Sequence, residues 1–423
     1  MSIGFTFTGR VKKPELLIAA AKRAADERYY GLSQWEDGLN VSLCPLDGRV
    51  RMSWKKESGL FGQWQVTGEC VSTPAGPGLH KAAVELVDAL GLQKLAVEDE
   101  TDYVQHRDFE KMCQEHFYPW LRTLVEVCHE KLKEGGYNSM CLCWDMDQYR
   151  PEDIPGTIIT PVGRFSARGM LETLEQKGVE TLAERFFLWY HPGKRDALYD
   201  RQIALNLLWE HCYFAPSSRD REDRSVNENI CKNLEMAARL DPALPLPRRA
   251  YEEVCALAGR EPALGQGPEL EDEFQPGFRK GLVTYAIGPV NLTLPGLYRY
   301  EREQWDERGG CDKWWDEASH SPIWRVNGYR KSQGEAEFTP ALEGDNELTQ
   351  HDIPNGAIRY GWREVEGESL WQVRAEAVTG PSLFVLTVTH FTPEERPGII
   401  ALMEQIIAVP DRQGSRETIP AQG

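Results

Sequence analysis

Apolar and polar positions alternate along the chain in two distinct rhythms, and their order sets the expected architecture. Leu39, Val41 and Leu43 alternate with Asn40 and Ser42, then Val50, Met52 and Trp54 with Arg49, Arg51 and Ser53, with Asp47-Gly48 between the two runs. This is the period of a hairpin with one buried face. "GQWQVTGECV" continues it as a third strand. On either side the period lengthens. "KKPELLIAAAKRAADERYYG" is a helix with Pro14 in its first turn and Gly31 at its end, and Leu79, Ala82, Ala83, Leu86, Val87 and Leu90 form one stripe of another. The first region, residues 1–125, is therefore expected as an antiparallel sheet with helices packed on it.

Helical periods dominate residues 126–262. "RDFEKMCQEHFY" and "PWLRTLVEVCHEKLKEGG" predict two helices split at Pro119. "MLETLEQKGVETLAERFFLWY", "DRQIALNLLWEHCYF", "NENICKNLEMAARL" and "PRRAYEEVCALAG" predict more, and "SSRDREDRSVNEN" an exposed charged loop. "NLEMAARLDPALPLP" resembles the second helix of a tetratricopeptide repeat, but no second copy follows at the matching period, and it is taken as a helix stopped by Asp241-Pro242.

Gly, Pro and acids crowd residues 263–281, a linker. Beyond it, in residues 282–412, the rhythm returns to strands: "LVTYAIGPVNLTLPG", "PIWRVNGYR", "GAIRYGWREVEG", "SLWQVRAEAVTG" and "SLFVLTVTHFT". Thr392-Pro393 opens a last helix, and residues 413–423 read as a disordered tail. The whole is α+β: an N-terminal antiparallel sheet with helices, a helical middle, and a C-terminal antiparallel sheet flanked by helices. The opening ribbon "GPVNLTLPGLYRYERE", the "IWRVNGYR" strand, the meander and the final "IIALMEQII" helix give residues 283–410 an order that resembles the PsbP/DcrB-like fold. That resemblance implies a protein-binding role in place of catalysis.

Composition narrows the partners. Over 423 residues the formal net charge is -18, and no basic stripe interleaved with aromatics offsets it, so nucleic acid is not an expected ligand. The acidic surface complements a basic protein, and it equally serves to keep the chain in solution. No secretory pattern opens the sequence, and "GIIALMEQIIAV" falls short of the roughly 20 apolar residues of a spanning helix, so a cytoplasmic, membrane-free protein is expected. None of the ten cysteines forms a Cys-x-x-Cys pair, and Cys113, Cys128, Cys231 and Cys255 fall among apolar helical neighbours as reduced core thiols.

Candidate chemistry concentrates in "NSMCLCWDMDQYRPED". A strand there places Cys141, Cys143, Asp145 and Asp147 on one face. Two thiolates and two carboxylates make a poorly matched ligand set, and no metal and no cofactor are expected. The Asp-x-Asp resembles the first motif of haloacid-dehalogenase-type phosphatases, which implies Asp145 as nucleophile and Asp147 as acid/base, and also the metal-binding Asp-x-Asp of many glycosyltransferases. Gln148-Tyr149 departs from the phosphatase pattern, the later acidic motif is missing, and no βαβ series surrounds it. "TPAGPGLHKAAVELVDAL" lacks the spacing of a phosphate loop and reads as a turn feeding a helix. No Gly-x-Ser-x-Gly or His-Glu-x-x-His is present. Trp305, Trp314, Trp315 and Trp324 crowd an acidic, Gly-bearing stretch expected as a loop, where Trp marks a binding surface or covers a sheet edge. The expected function is a non-enzymatic protein-binding module of the immunity-protein or effector-chaperone kind. A metal-dependent phosphoryl- or glycosyl-transfer enzyme built on Asp145 and Asp147 is the alternative.

Overall fold

A computed structural model describes residues 2–46, 48–57, 62–73, 75–135, 137–143, 150–193, 195–211, 221–271, 273–288, 290–306, 309–316 and 318–408. The expected tail at 413–423 lies outside them, as do Asp145 and Asp147. The chain forms two compact units, Met1–Trp144 with Asp153–Gly277, and Asp145–Glu152 with Phe278–Gly423. The fold is α+β.

The first unit opens with β1 (Gly4–Val11), α1 (Pro14–Arg28), β2 (Gly31–Trp35), β3 (Gly38–Ser42), β4 (Arg49–Lys56), β5 (Trp64–Val71), α2 (Pro77–Ala89) and β6 (Gln93–Asp99). The strands make one antiparallel sheet in the order β2-β3-β4-β5-β1-β6. Its hairpin pairs Leu39 with Met52 and Val41 with Val50, all buried, and β1 and β5 add Phe5, Phe7, Val66 and Cys70 to the same face. Thr6, Thr8, Ser53 and Thr67 alternate on the wet face. Helix α1 ends at Tyr29, left-handed with φ 57°, two residues before the glycine expected to stop it; Gly31 instead opens β2.

Then come α3 (Tyr103–His106), α4 (Phe109–Met112), a π turn at Cys113–Phe117 and α5 (Tyr118–Lys133). The expected break at Pro119 is absent. Pro119 lacks an N–H to bond backward, and the chain passes it by widening one turn, with the Tyr118 N–H reaching Cys113 five residues back. Next are β7 (Ser139–Cys141), β8 (Arg150–Pro151), β9 (Thr157–Thr160), β10 (Gly163–Ser166), α6 (Ala167–Lys177), α7 (Val179–Phe186), α8 (Ala197–His211), α9 (Arg221–Leu240) and α10 (Arg248–Ala258). β8 belongs to the second unit, and the sheet β10-β9-β7 to the first. Part of the expected charged loop is helix: α9 starts at Arg221 and buries Asp223, Val226 and Asn227. One apolar core runs without interruption from Ile3 to Cys255, so residues 126–262 share the core of the first sheet. The Gly- and Pro-rich segment after α10 is laced to it, with the Leu246 N–H donating to Pro268, the Leu270 N–H to Leu246, and Arg248 Nε to Pro268.

The second unit continues with β11 (Leu282–Ile287), β12 (Val290–Pro295), β13 (Arg299–Asp306), β14 (Gly309–Trp315), β15 (Ile323–Arg330), β16 (Asn346–Ile353), β17 (Gly356–Glu364), β18 (Trp371–Thr379), β19 (Ser382–His390), α11 (Arg396–Met403) and β20 (Ile407–Ala408). These strands build an antiparallel sheet β13-β14-β15-β19-β18-β17-β16 and a smaller one β20-β12-β11-β8. In the larger sheet Trp314 pairs with Trp324, Trp324 with Val388 and Val388 with Val373, one buried row across four strands. On the other face Glu376 is fully buried, bound by Arg359 at 2.8 Å and by the Thr339 N–H at 2.9 Å, and Arg374 holds Asp345 through two bonds of 2.6 and 2.9 Å. These bonds fasten the β15–β16 connection onto the sheet.

Candidate functional site

Two of the four tryptophans, Trp314 and Trp324, are buried in the larger sheet. Most of the stretch expected as a loop is strand, belonging to β13, β14 and the start of β15, and a connection without strand is found toward its end, at residues 318–322 among those described. Trp314 and Trp324 are 1% and 0% exposed, because strand alternation turns both inward, and Trp314 packs on Tyr285 and Tyr300 at 5.1 and 5.2 Å. Trp315 faces the other way beneath Lys313, whose Nζ lies 4.8 Å from its ring. The side chain of Trp305 is outside the described residues. Glycines and acids signalled a turn at each strand end, and that signal masked the strands between.

The strand leading to Asp145 and Asp147 is shorter than its sequence predicts. β7 stops at Cys141, and Cys143 is left-handed at φ 54°, so the two thiols do not continue one strand face. Among the described residues no three His, Cys, Asp or Glu side chains come together in a metal-binding group.

A chain of Ser72, His80 and Asp99 that sequence reading missed lies at the start of α2. His80 Nδ1 is 2.9 Å from Ser72 Oγ, and Nε2 is 3.2 Å from Asp99 Oδ1 and from Thr101 Oγ1. Ser72 Oγ also reaches the Ile3 carbonyl and Thr101 Oγ1 reaches Asp99, so each ring nitrogen of His80 has hydrogen-bonding partners inside the protein. Burial opposes the charge of Asp99, but His80 and the Thr101 and Val104 N–H groups outweigh it and hold the carboxyl far below its ordinary range. Phe5, Tyr103 and Phe117 ring the imidazole edge-on, and His80, Ser72 and Asp99 have no solvent exposure. Ser72, buried without solvent exposure between His80 and the Ile3 carbonyl, is a structural joint. The glycine-bearing turn before it is closed as well: the Gly78 N–H donates to Trp189, and a Cβ at Gly78 would come within 2.4 Å of the His191 carbonyl.

The second histidine–aspartate pair is open. His191 Nδ1 lies 2.6 Å from Asp196 Oδ2, and the other Asp196 oxygen accepts the Tyr199 N–H at 2.8 Å, capping α8. The bond to Asp196 outweighs burial and raises the His191 pKa above its ordinary value. For Asp196, burial is outweighed by His191 and the cap, and its carboxyl is lowered. The side chains are 45% and 38% exposed and line a cavity of about 1020 Å3.

The sheet edges differ in kind. β2, "GLSQW", is exposed along its whole length and carries no charged residue or proline. The other edge of that sheet, β6, carries Lys94 and Glu98, and the edges of the larger sheet carry Arg299, Glu301, Arg302, Glu303 and Asp306 in β13 and Glu347 and Asp352 in β16. Leu32 and Trp35 of β2 are 38% and 39% exposed, and Glu36 and Asp37 form the exposed tip beside them.

No family model and no curated protein matches the chain. A crystal structure from Bacteroides thetaiotaomicron is similar at a TM-score of 0.25 and 13% identity, over 30% of this chain and 48% of that one. The chain thus spans about half of that protein's length, and the likeness carries no argument about fold or function. No helix among the described residues is long and apolar enough to cross a membrane.

Proposed function

We propose that the chain is a protein-binding module which takes an extended segment of its partner onto the free edge of β2. The observation that carries this is the uncharged β2, exposed at each of its residues, beside three long-sheet edges that all carry charge. Natural sheets blunt their free edges with charges, prolines or cover, because unpaired N–H and C=O groups recruit another strand. β2 has none of these devices within its sequence. An added strand would gain main-chain hydrogen bonds from β2 and side-chain contacts with Leu32 and Trp35, while Glu36 and Asp37 favour a basic flank. An acidic module of this kind acting in the cytoplasm, as an immunity protein or an effector chaperone does, is the particular form we favour by analogy.

The test is affinity purification of the tagged full chain from its native cell, with mass spectrometry of proteins recovered in stoichiometric amount. Leu32→Lys and Gln34→Lys place charge on the edge, and Leu348→Lys on β16 serves as the control. A partner lost in both β2 variants and kept in the control supports strand addition. Equal recovery from all variants, or recovery of the chain alone, rejects it.

A further inference from the structure

The cavity beside the first turn of α8 is independent of the β2 edge, and its lining defines a small ligand. It is walled by α7, by the turn between α9 and α10, and by residues 268–271. At about 1020 Å3 it is large enough for an organic molecule of drug size. Leu240, Leu244 and Leu270 supply hydrocarbon, and His191 and Arg195 supply positive charge. Asp196 occupies Nδ1 of His191, so Nε2 is the ring nitrogen left for a ligand. Arg195 lies over the Tyr199 ring at 5.4 Å, and among the described residues no carboxylate forms an ion pair with it. A guanidinium in that state has its planar donor fork available.

Glu184, Asp241, Glu269 and Glu271 line other parts of the cavity. Arg185 and Arg201 line it too, the first over the Phe165 ring and the second donating to the Pro245 carbonyl. With Asp196 the lining carries five carboxylates against three arginines, which disfavours a dianion and leaves His191 and Arg195 as the basic groups beside the first turn of α8. We propose that this cavity binds an amphipathic monoanion, a carboxylate on an apolar body. The carboxylate oxygens accept from His191 Nε2 and the Arg195 guanidinium, and the hydrocarbon lies against Leu240, Leu244 and Leu270.

Octanoate is the probe, titrated calorimetrically into the full chain, with octanol and inorganic phosphate as controls. Saturable binding of octanoate, weakened more than tenfold in Arg195→Gln and in His191→Gln, is the expected result, with octanol and phosphate each at least tenfold weaker. Both substituted residues are exposed and the variants are expected to fold, which near-ultraviolet circular dichroism checks. No octanoate binding, or binding unchanged in both variants, overturns the proposal. Octanol binding as tightly as octanoate overturns the charge recognition, and phosphate binding as tightly overturns the choice of a monoanion.

Discussion

The first unit contains two histidine–aspartate pairs at opposite extremes of burial. His80 and Asp99 are sealed among aromatic rings with both ring nitrogens in hydrogen-bond contact inside the protein, while His191 and Asp196 stand at the mouth of a cavity with one ring nitrogen uncommitted. The same two side chains thus serve as a joint in one place and as a ligand-facing pair in the other. Burial makes the difference. Inside, an unpaired charge is intolerable and each member depends on its partner; at the surface, water replaces a lost partner at little cost.

The largest expected effect comes from breaking the sealed pair. Asp99→Ala leaves His80 and Thr101 without their acceptor, and a loss of about 3–5 kcal/mol is expected in urea unfolding. A loss below about 1 kcal/mol would place the buried pair in the same class as a surface one. The pH dependence follows from the lowered Asp99 pKa. The stability it contributes is complete above the unfolded carboxyl value of about 3.9 and is lost as pH falls below it. The wild type should therefore lose stability between about pH 5 and pH 2 more steeply than Asp99→Ala.

Gly78→Ala probes the point where the two regions meet, since its Cβ would come within 2.3 Å of the Trp189 ring and 2.4 Å of the His191 carbonyl. A cost of about 1–3 kcal/mol is expected from overpacking, together with weaker octanoate binding as His191 moves. Destabilisation with unchanged binding would show that the joint and the cavity are mechanically separate.

Asp200 sharpens the comparison because it is a buried carboxyl on α8 without a histidine. Burial pushes its pKa up to about 6 against the attraction of the Arg195 charge, and no hydrogen bond reaches its side chain among the described residues. Its folded pKa is raised, so the penalty appears as pH rises through the unfolded value and is complete above about 6. Asp200→Asn should stabilise the protein by about 1–2 kcal/mol at pH 7 and by nothing at pH 3, measured by thermal unfolding at both. Destabilisation at pH 7 would mean that the carboxylate has a partner the burial argument omits.

The smallest effect belongs to the open pair. After screening by solvent, His191→Gln should change stability by less than about 0.5 kcal/mol at pH 6. The His191 pKa is raised, so this contribution is present below about pH 6.5 and disappears as pH climbs through the folded value. A difference between wild type and variant that grows above pH 8 would contradict that assignment.

Much of the fold was legible in the residues. Leu39, Val41, Val50, Met52 and Trp54 gave away the first hairpin, and the meander of β17, β18 and β19 showed the same alternation. These patterns are local, since one buried face imposes period 2 wherever a strand lies. The edge strand β2 was not legible, because a strand exposed on both faces has no alternation to show. The strands β13 and β14 were concealed by acids and glycines at their ends.

The candidate site was less legible than the fold. Ser72 and His80 are eight residues apart and Asp99 follows nineteen later, and the pairing of β1 with β5 and β6, with α2 packed beside them, brings the three together. His191 and Asp196 are five residues apart, yet their distance says nothing of the cavity, whose other wall comes from the α9–α10 turn and residues 268–271. The sequence by itself determined the periods, and hence the α+β class and most of the elements, because propensity and amphipathicity act over a few residues. Burial decided the rest: which tryptophans turn inward, which histidine is sealed and which faces a cavity, and which strand is left at an edge are properties of long-range packing that no short window of sequence contains.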